Sequence, residues 1–69
     1  LSPDLWMKQL FSAKAVNSGG ILRRSARDVD RVIGRDVLLA ELHARGFRAI
    51  ENNGQIVIFC NCAPIEVLA

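Results

Sequence analysis

Apolar residues in this chain follow two spacings, helical up to about residue 45 and extended beyond it. Val29, Val32 and Ile33 stand at i, i+3 and i+4 behind Ser25-Ala26-Arg27-Asp28, a capping-box pattern, and predict a helix over 26–33 with one buried stripe. Gly34 ends it. Asp36 then caps a second helix whose apolar face is Leu38, Leu39 and Leu42. Gly46 closes that helix in a left-handed conformation, with Phe47 packed back on Leu42. Two helices joined by two or three residues cross at an angle, the outline of a helix-turn-helix.

Phe47–Glu51 and Ile56–Cys60 flank Asn52-Asn53-Gly54-Gln55, and Asn-Gly is the preferred pair for a two-residue type I′ hairpin loop. With Asn53-Gly54 at the tip, Ile50 lies opposite Val57, Ala49 opposite Ile58 and Phe47 opposite Cys60. The run Ile56-Val57-Ile58-Phe59-Cys60 is apolar on both faces, so it needs a second neighbouring strand. Either Ile21-Leu22 or Ile65-Glu66-Val67-Leu68 can supply it, and Pro64 marks the latter as an edge or a tail. Upstream, Ser2-Pro3-Asp4 is a helix start, and Leu5, Leu10, Phe11, Ala13 and Ala15 fit one short helix that Asn17-Ser18-Gly19-Gly20 breaks. Ile21-Leu22 is then a short strand or a lead-in to the next helix.

These elements predict one small α+β domain, with two or three helices packed on a two- or three-stranded antiparallel sheet. Their order (helix, short strand, helix, helix, hairpin) is winged-helix-like. Sixty-nine residues accommodate a single small domain and exclude any fold that needs 200 residues. A hydrophobic content of 51% separates the chain from disordered tails, and its evenly spread charge, 23% of residues, separates it from a membrane span.

The net charge of +2 is too small to imply nucleic acid, but its distribution is informative. All seven arginines lie between Arg23 and Arg48, where only Asp28, Asp30, Asp36 and Glu41 oppose them, leaving that stretch at +3. If residues 23–35 are mostly helical, Arg23, Arg27, Arg31 and Arg35 form a stripe opposite Val29 and Val32-Ile33. Arginine binds phosphate or carboxylate in planar, bidentate fashion. With Arg24 and Arg48, these residues are the candidate nucleic-acid-binding set. Residues 36–45 would then be the recognition helix and Asn52–Gln55 the wing. That helix offers few base-reading donors, so binding would be mostly to phosphate and strongly salt-dependent.

No catalytic set emerges. His43 is the single histidine, placed near a helix end where it interacts with the dipole, and a pairing with Cys60 or Cys62 is the only nucleophilic arrangement available. Cys60 and Cys62 share a face if the strand continues, which disfavours a mutual disulfide, and with His43 they fall short of the four ligands of a structural zinc site. Two buried free thiols, no metal and no cofactor are expected. No signal pattern opens the chain, which predicts a cytoplasmic protein.

Gly19-Gly20-Ile21-Leu22-Arg23-Arg24-Ser25, Ile33-Gly34-Arg35, Arg45-Gly46-Phe47 and Gly54-Gln55-Ile56-Val57-Ile58-Phe59-Cys60-Asn61 occur here in that order. From Met7 onward the chain thereby resembles a family of short, uncharacterised, mostly alphaproteobacterial proteins that often carry the label phosphoribosylanthranilate isomerase. The label implies a TIM barrel of roughly 200 residues or more, which this length excludes. The resemblance therefore implies a small bacterial domain over residues 7–69, preceded by a 1–6 extension that leaves Trp6 outside, and supplies no catalytic residue. The resulting expectation is a non-enzymatic binding module with an Arg-rich face for DNA or RNA phosphate. The alternative is a protein–protein module, or accessory subunit, that presents its sheet or an unpaired strand edge to a partner or to a second copy.

Overall fold

Local chemistry at the helix ends sets the element boundaries. In the computed structural model, which describes residues 2–69, the Leu5 N–H donates to the Ser2 hydroxyl at 3.2 Å and opens α1 (Pro3–Phe11). The expected single N-terminal helix is in fact two. The Ser12 hydroxyl donates to the Gln9 carbonyl at 2.8 Å, Ala13 turns extended, and α2 (Lys14–Ser18) follows, ending at Gly19. A serine that bonds the backbone of the preceding turn competes with helix continuation. Helix α1 runs through residues 6 and 7, and Trp6 packs against the core.

Strand β1 (Ile21–Ser25) leads directly into α3 (Ala26–Val32), then α4 (Arg35–Arg45), β2 (Arg48–Asn52) and β3 (Gln55–Phe59). Two capping expectations are corrected. Ser25 occupies the cap position of α3 without a side-chain capping bond, and the Ala26 N–H instead donates to the Gly54 carbonyl at 2.8 Å. Helix α4 starts from Gly34 rather than Asp36, which lies in its first turn, where a carboxylate still favours the helix dipole. At the other end the expectation holds. The Phe47 N–H donates to Leu42 O at 2.9 Å and the Gly46 N–H to His43 O at 3.1 Å, a Schellman ending with Gly46 at φ +74°.

The sheet is antiparallel with strand order β1-β3-β2. The hairpin has the anticipated register, Ile50 opposite Val57 and Ala49 opposite Ile58, and its tip residues Asn53 and Gly54 both have positive φ, as a type I′ loop demands. Ile21–Ser25, not the C-terminal segment, is the second neighbour of β3. The core is built from Leu10, Leu22, Ala26, Val29, Leu38, Leu42, Ile56, Ile58 and Cys60, with Val29, Leu38 and Ile58 wholly enclosed. Leu39 leaves the expected apolar face. Leu38 and Leu42, four apart, take the buried stripe, and Leu39 stays exposed beside Ala49 and Ile50. Among the described residues no helix is long and apolar enough to cross a membrane.

Candidate functional site

The arginines do not form one helical stripe. Pairing of residues 21–25 with β3 draws Arg23 and Arg24 into a strand. Arg27 and Arg31 lie on α3, Arg35 opens α4 and Arg48 begins β2. The helix over 23–35 on which that stripe depended gives way to strand pairing, in which Leu22 is buried opposite Ile58.

Acids divide this set further. Arg31 meets Asp28 at 3.0 Å on the surface of α3. Arg35 donates to Glu51 at 2.7 Å and to Asp30 at 3.3 Å, so it links α4 to the carboxylates of β2 and α3. The Glu51 hydrogen bond, helped by the charges of Asp30 and Glu51, holds the Arg35 guanidinium above its ordinary pKa. Arg45, outside the candidate set, meets Glu41 at 2.8 Å and lies 4.0 Å from the Phe11 ring centroid.

Arg23, Arg24, Arg27 and Arg48 make no ion pair among the described residues. Arg23 and Arg24 line one depression of about 390 Å³ with Ser25 and Gln55, beside the tip of the hairpin. Every side chain there can donate a hydrogen bond and none is a carboxylate. Arg27 is exposed one turn-start away on α3, two residues beyond Ser25. Arg24 donates to the Arg23 carbonyl at 2.7 Å. Arg48 is on the outer sheet face like Arg23, but on the other edge strand, opposite Phe59. Of the candidate arginines, Arg23 and Arg24 share one depression, Arg31 and Arg35 are paired with acids, and Arg27 and Arg48 lie unpaired outside it.

The exposed surface of α4 carries Asp36, Val37, Leu39, Ala40, His43, Ala44 and Arg45, the last engaged by Glu41, a poor set for reading base edges. His43 and Cys62 line a common depression with Gly46, Phe47 and Arg48, with no hydrogen bond between them. The expectation of two buried thiols is half right. Cys60 is buried, while β3 ends at Phe59 and leaves Cys62 exposed. Burial pushes the Cys60 thiol pKa up, partly offset by the charge of Arg45. Among the described residues no group of three His, Cys, Asp or Glu side chains could hold a metal ion.

Sequence reasoning did not say which residues make up the outer sheet face. Alternation places Ile21, Arg23 and Ser25 of β1 there, beside Phe59, Val57 and Gln55 of β3 and Arg48, Ile50 and Asn52 of β2. Ile21 is 58% and Ile50 43% exposed on it. Its sequence signal was the two-faced apolar run Ile56–Cys60. No protein-family model, curated protein or solved structure matches the chain.

Proposed function

We propose that this domain is a non-enzymatic, winged-helix-like binding module that grips the phosphate backbone of DNA or RNA with Arg23, Arg24 and Arg27. The observation that carries this reading is the acid-free depression that Arg23 and Arg24 line with Ser25 and Gln55 at the sheet edge beside the hairpin tip. The element order, with two helices between β1 and the hairpin, supports the comparison with winged helices. Because α4 exposes few donors, recognition is of backbone rather than base sequence. Three phosphate contacts give a slope of log K against log[salt] of about −2.7 on duplex DNA. Electrophoretic mobility shift at low and physiological salt tests this. Binding at low salt that Arg24→Ala and Arg27→Ala each weaken is expected, and no binding at low salt rejects it.

A protein–protein module is the second reading, favoured by the exposed Ile21 and Ile50 on the outer sheet face. We further infer membership of the short bacterial family whose blocks this chain resembles. The isomerase label stays unsuited to it, since an antiparallel sheet of three strands is not a barrel of eight parallel ones.

A further inference from the structure

Strand β1 is an edge of the sheet. The Cys60 N–H donates to Gly20 O at 2.9 Å and the Ala26 N–H to Gly54 O at 2.8 Å. In the register of β1 with β3, residues 20, 22, 24 and 26 are thus the ones whose backbone groups turn toward β3. The N–H and C=O groups of Ile21, Arg23 and Ser25 point the other way, to the open edge. The Arg24 guanidinium on the Arg23 carbonyl reports one of those outward acceptors. Cationic side chains on an edge discourage indiscriminate strand pairing. They admit a strand that brings an acid to the right position.

The chain carries such a strand. After Asn61, which donates to Gly19 O at 3.1 Å and accepts from the Ala63 N–H at 3.0 Å, the chain leaves the sheet as Pro64-Ile65-Glu66-Val67-Leu68. Val67 is 87% and Leu68 91% exposed. Laid antiparallel on β1 with Glu66 opposite Arg23, this segment puts Leu68 opposite Ile21 and Val67 opposite Leu22. Opposite charges and apolar pairs then meet at once. Pro64, lacking an N–H, falls at the strand end opposite Ser25, where it is tolerated.

A single chain cannot reach this register. Cys60 lies beside Gly20, so Pro64 opposite Ser25 requires about 17 Å along the strand and about 10 Å across two strand spacings, roughly 19 Å in all. Four residues span at most about 14 Å. We propose that the occupant is the C-terminal segment of a second copy, exchanged reciprocally so that each β1 gains the other copy's residues 64–68 as a fourth strand. Two-fold exchange closes on itself and yields a dimer rather than a filament. The proposal is independent of the polyanion reading and is tested without nucleic acid. Arg23 belongs to both surfaces, so phosphate and Glu66 are alternatives for it.

Light scattering coupled to gel filtration, followed to about 1 mM protein, is expected to show mass rising from 7.6 kDa toward twice that value, a range that captures association as weak as about 4 kcal/mol. Glu66→Arg and Arg23→Glu, both exposed changes that leave the far-UV spectrum unaltered, are each expected to weaken the dimer by about ten-fold or more, since the pair occurs twice. The double variant, with the charges exchanged, is expected to restore it. A chain that stays at 7.6 kDa throughout, a dimer indifferent to Glu66→Arg, or single variants that weaken it without rescue by the double would each overturn the proposal.

Discussion

Arg35, in the first turn of α4, donates to Glu51 on β2 at 2.7 Å and so joins the helix pair to the hairpin. The same guanidinium reaches Asp30 at 3.3 Å, which makes it the hub between three elements. An arginine that looked available from its sequence position is occupied with holding the domain together.

Replacing Arg35 by Ala should lower the urea midpoint at low salt, and the difference from the parent should shrink near 1 M salt, where the Debye length is about 3 Å. The same variant should leave polyanion binding almost unchanged, because Arg35 is engaged by two carboxylates. Chemical denaturation at two ionic strengths, alongside a mobility shift, checks both parts.

Arg24→Ala and Arg27→Ala should each reduce the salt slope of duplex binding by about 0.9 and weaken binding uniformly across sequences. Arg31→Ala, whose partner is Asp28, should have a much smaller effect. Titrations at three salt concentrations separate these residues. Equal losses at Arg24 and Arg31 would remove the distinction between paired and unpaired arginines.

Ile58 is wholly enclosed between the helices and its cross-strand neighbours Leu22 and Ala49. Truncation to Ala should cost about 2–5 kcal/mol, while Ile58→Val should cost about 0.5–1.5 kcal/mol. In a domain this small the larger loss approaches the whole stability, so thermal melts should show Ile58→Ala largely unfolded.

Gly54 has φ +79° and no atom stands within 4 Å of where a Cβ would be built. Its substitution by Ala therefore probes backbone strain without a clash, and should cost about 1–2 kcal/mol. Gly54 also supplies the carbonyl that accepts the first N–H of α3, so loss of hairpin geometry should speed amide exchange at Ala26. Hydrogen exchange measured by NMR tests that link.

The raised thiol pKa of Cys60 gives stability a definite pH dependence. Between the ordinary thiol value and the raised one, the folded state holds a proton that the unfolded state has released. Stability should therefore be constant below the ordinary value and fall as pH rises through that interval. Cys60→Ala should be less stable at neutral pH yet lose this alkaline decline, and urea midpoints across the alkaline range decide it.

Much of the fold was legible from local chemistry. The Ser2 cap, the Gly46-Phe47 ending and the Asn53-Gly54 loop each depend on residues within one turn of each other, and the hairpin register follows from the loop alone. The need of β3 for a second neighbour was equally visible in its two apolar faces. The choice of Ile21–Ser25 over Ile65–Leu68 was not, because it depends on which segment can bury a side chain beside Ile58, and Leu22 does.

The sequence by itself determined the α+β class, the cationic character of residues 23–48 and the absence of a visible catalytic set. Tertiary structure alone decided which arginines face solvent unpaired. Arg35 was withdrawn by Glu51, sixteen residues away, while Arg23 and Arg24 were brought beside Gln55, some thirty residues away. Charge along a chain adds up locally. Charge on a surface depends on which distant carboxylates folding brings within about 4 Å, and strand pairing sets that.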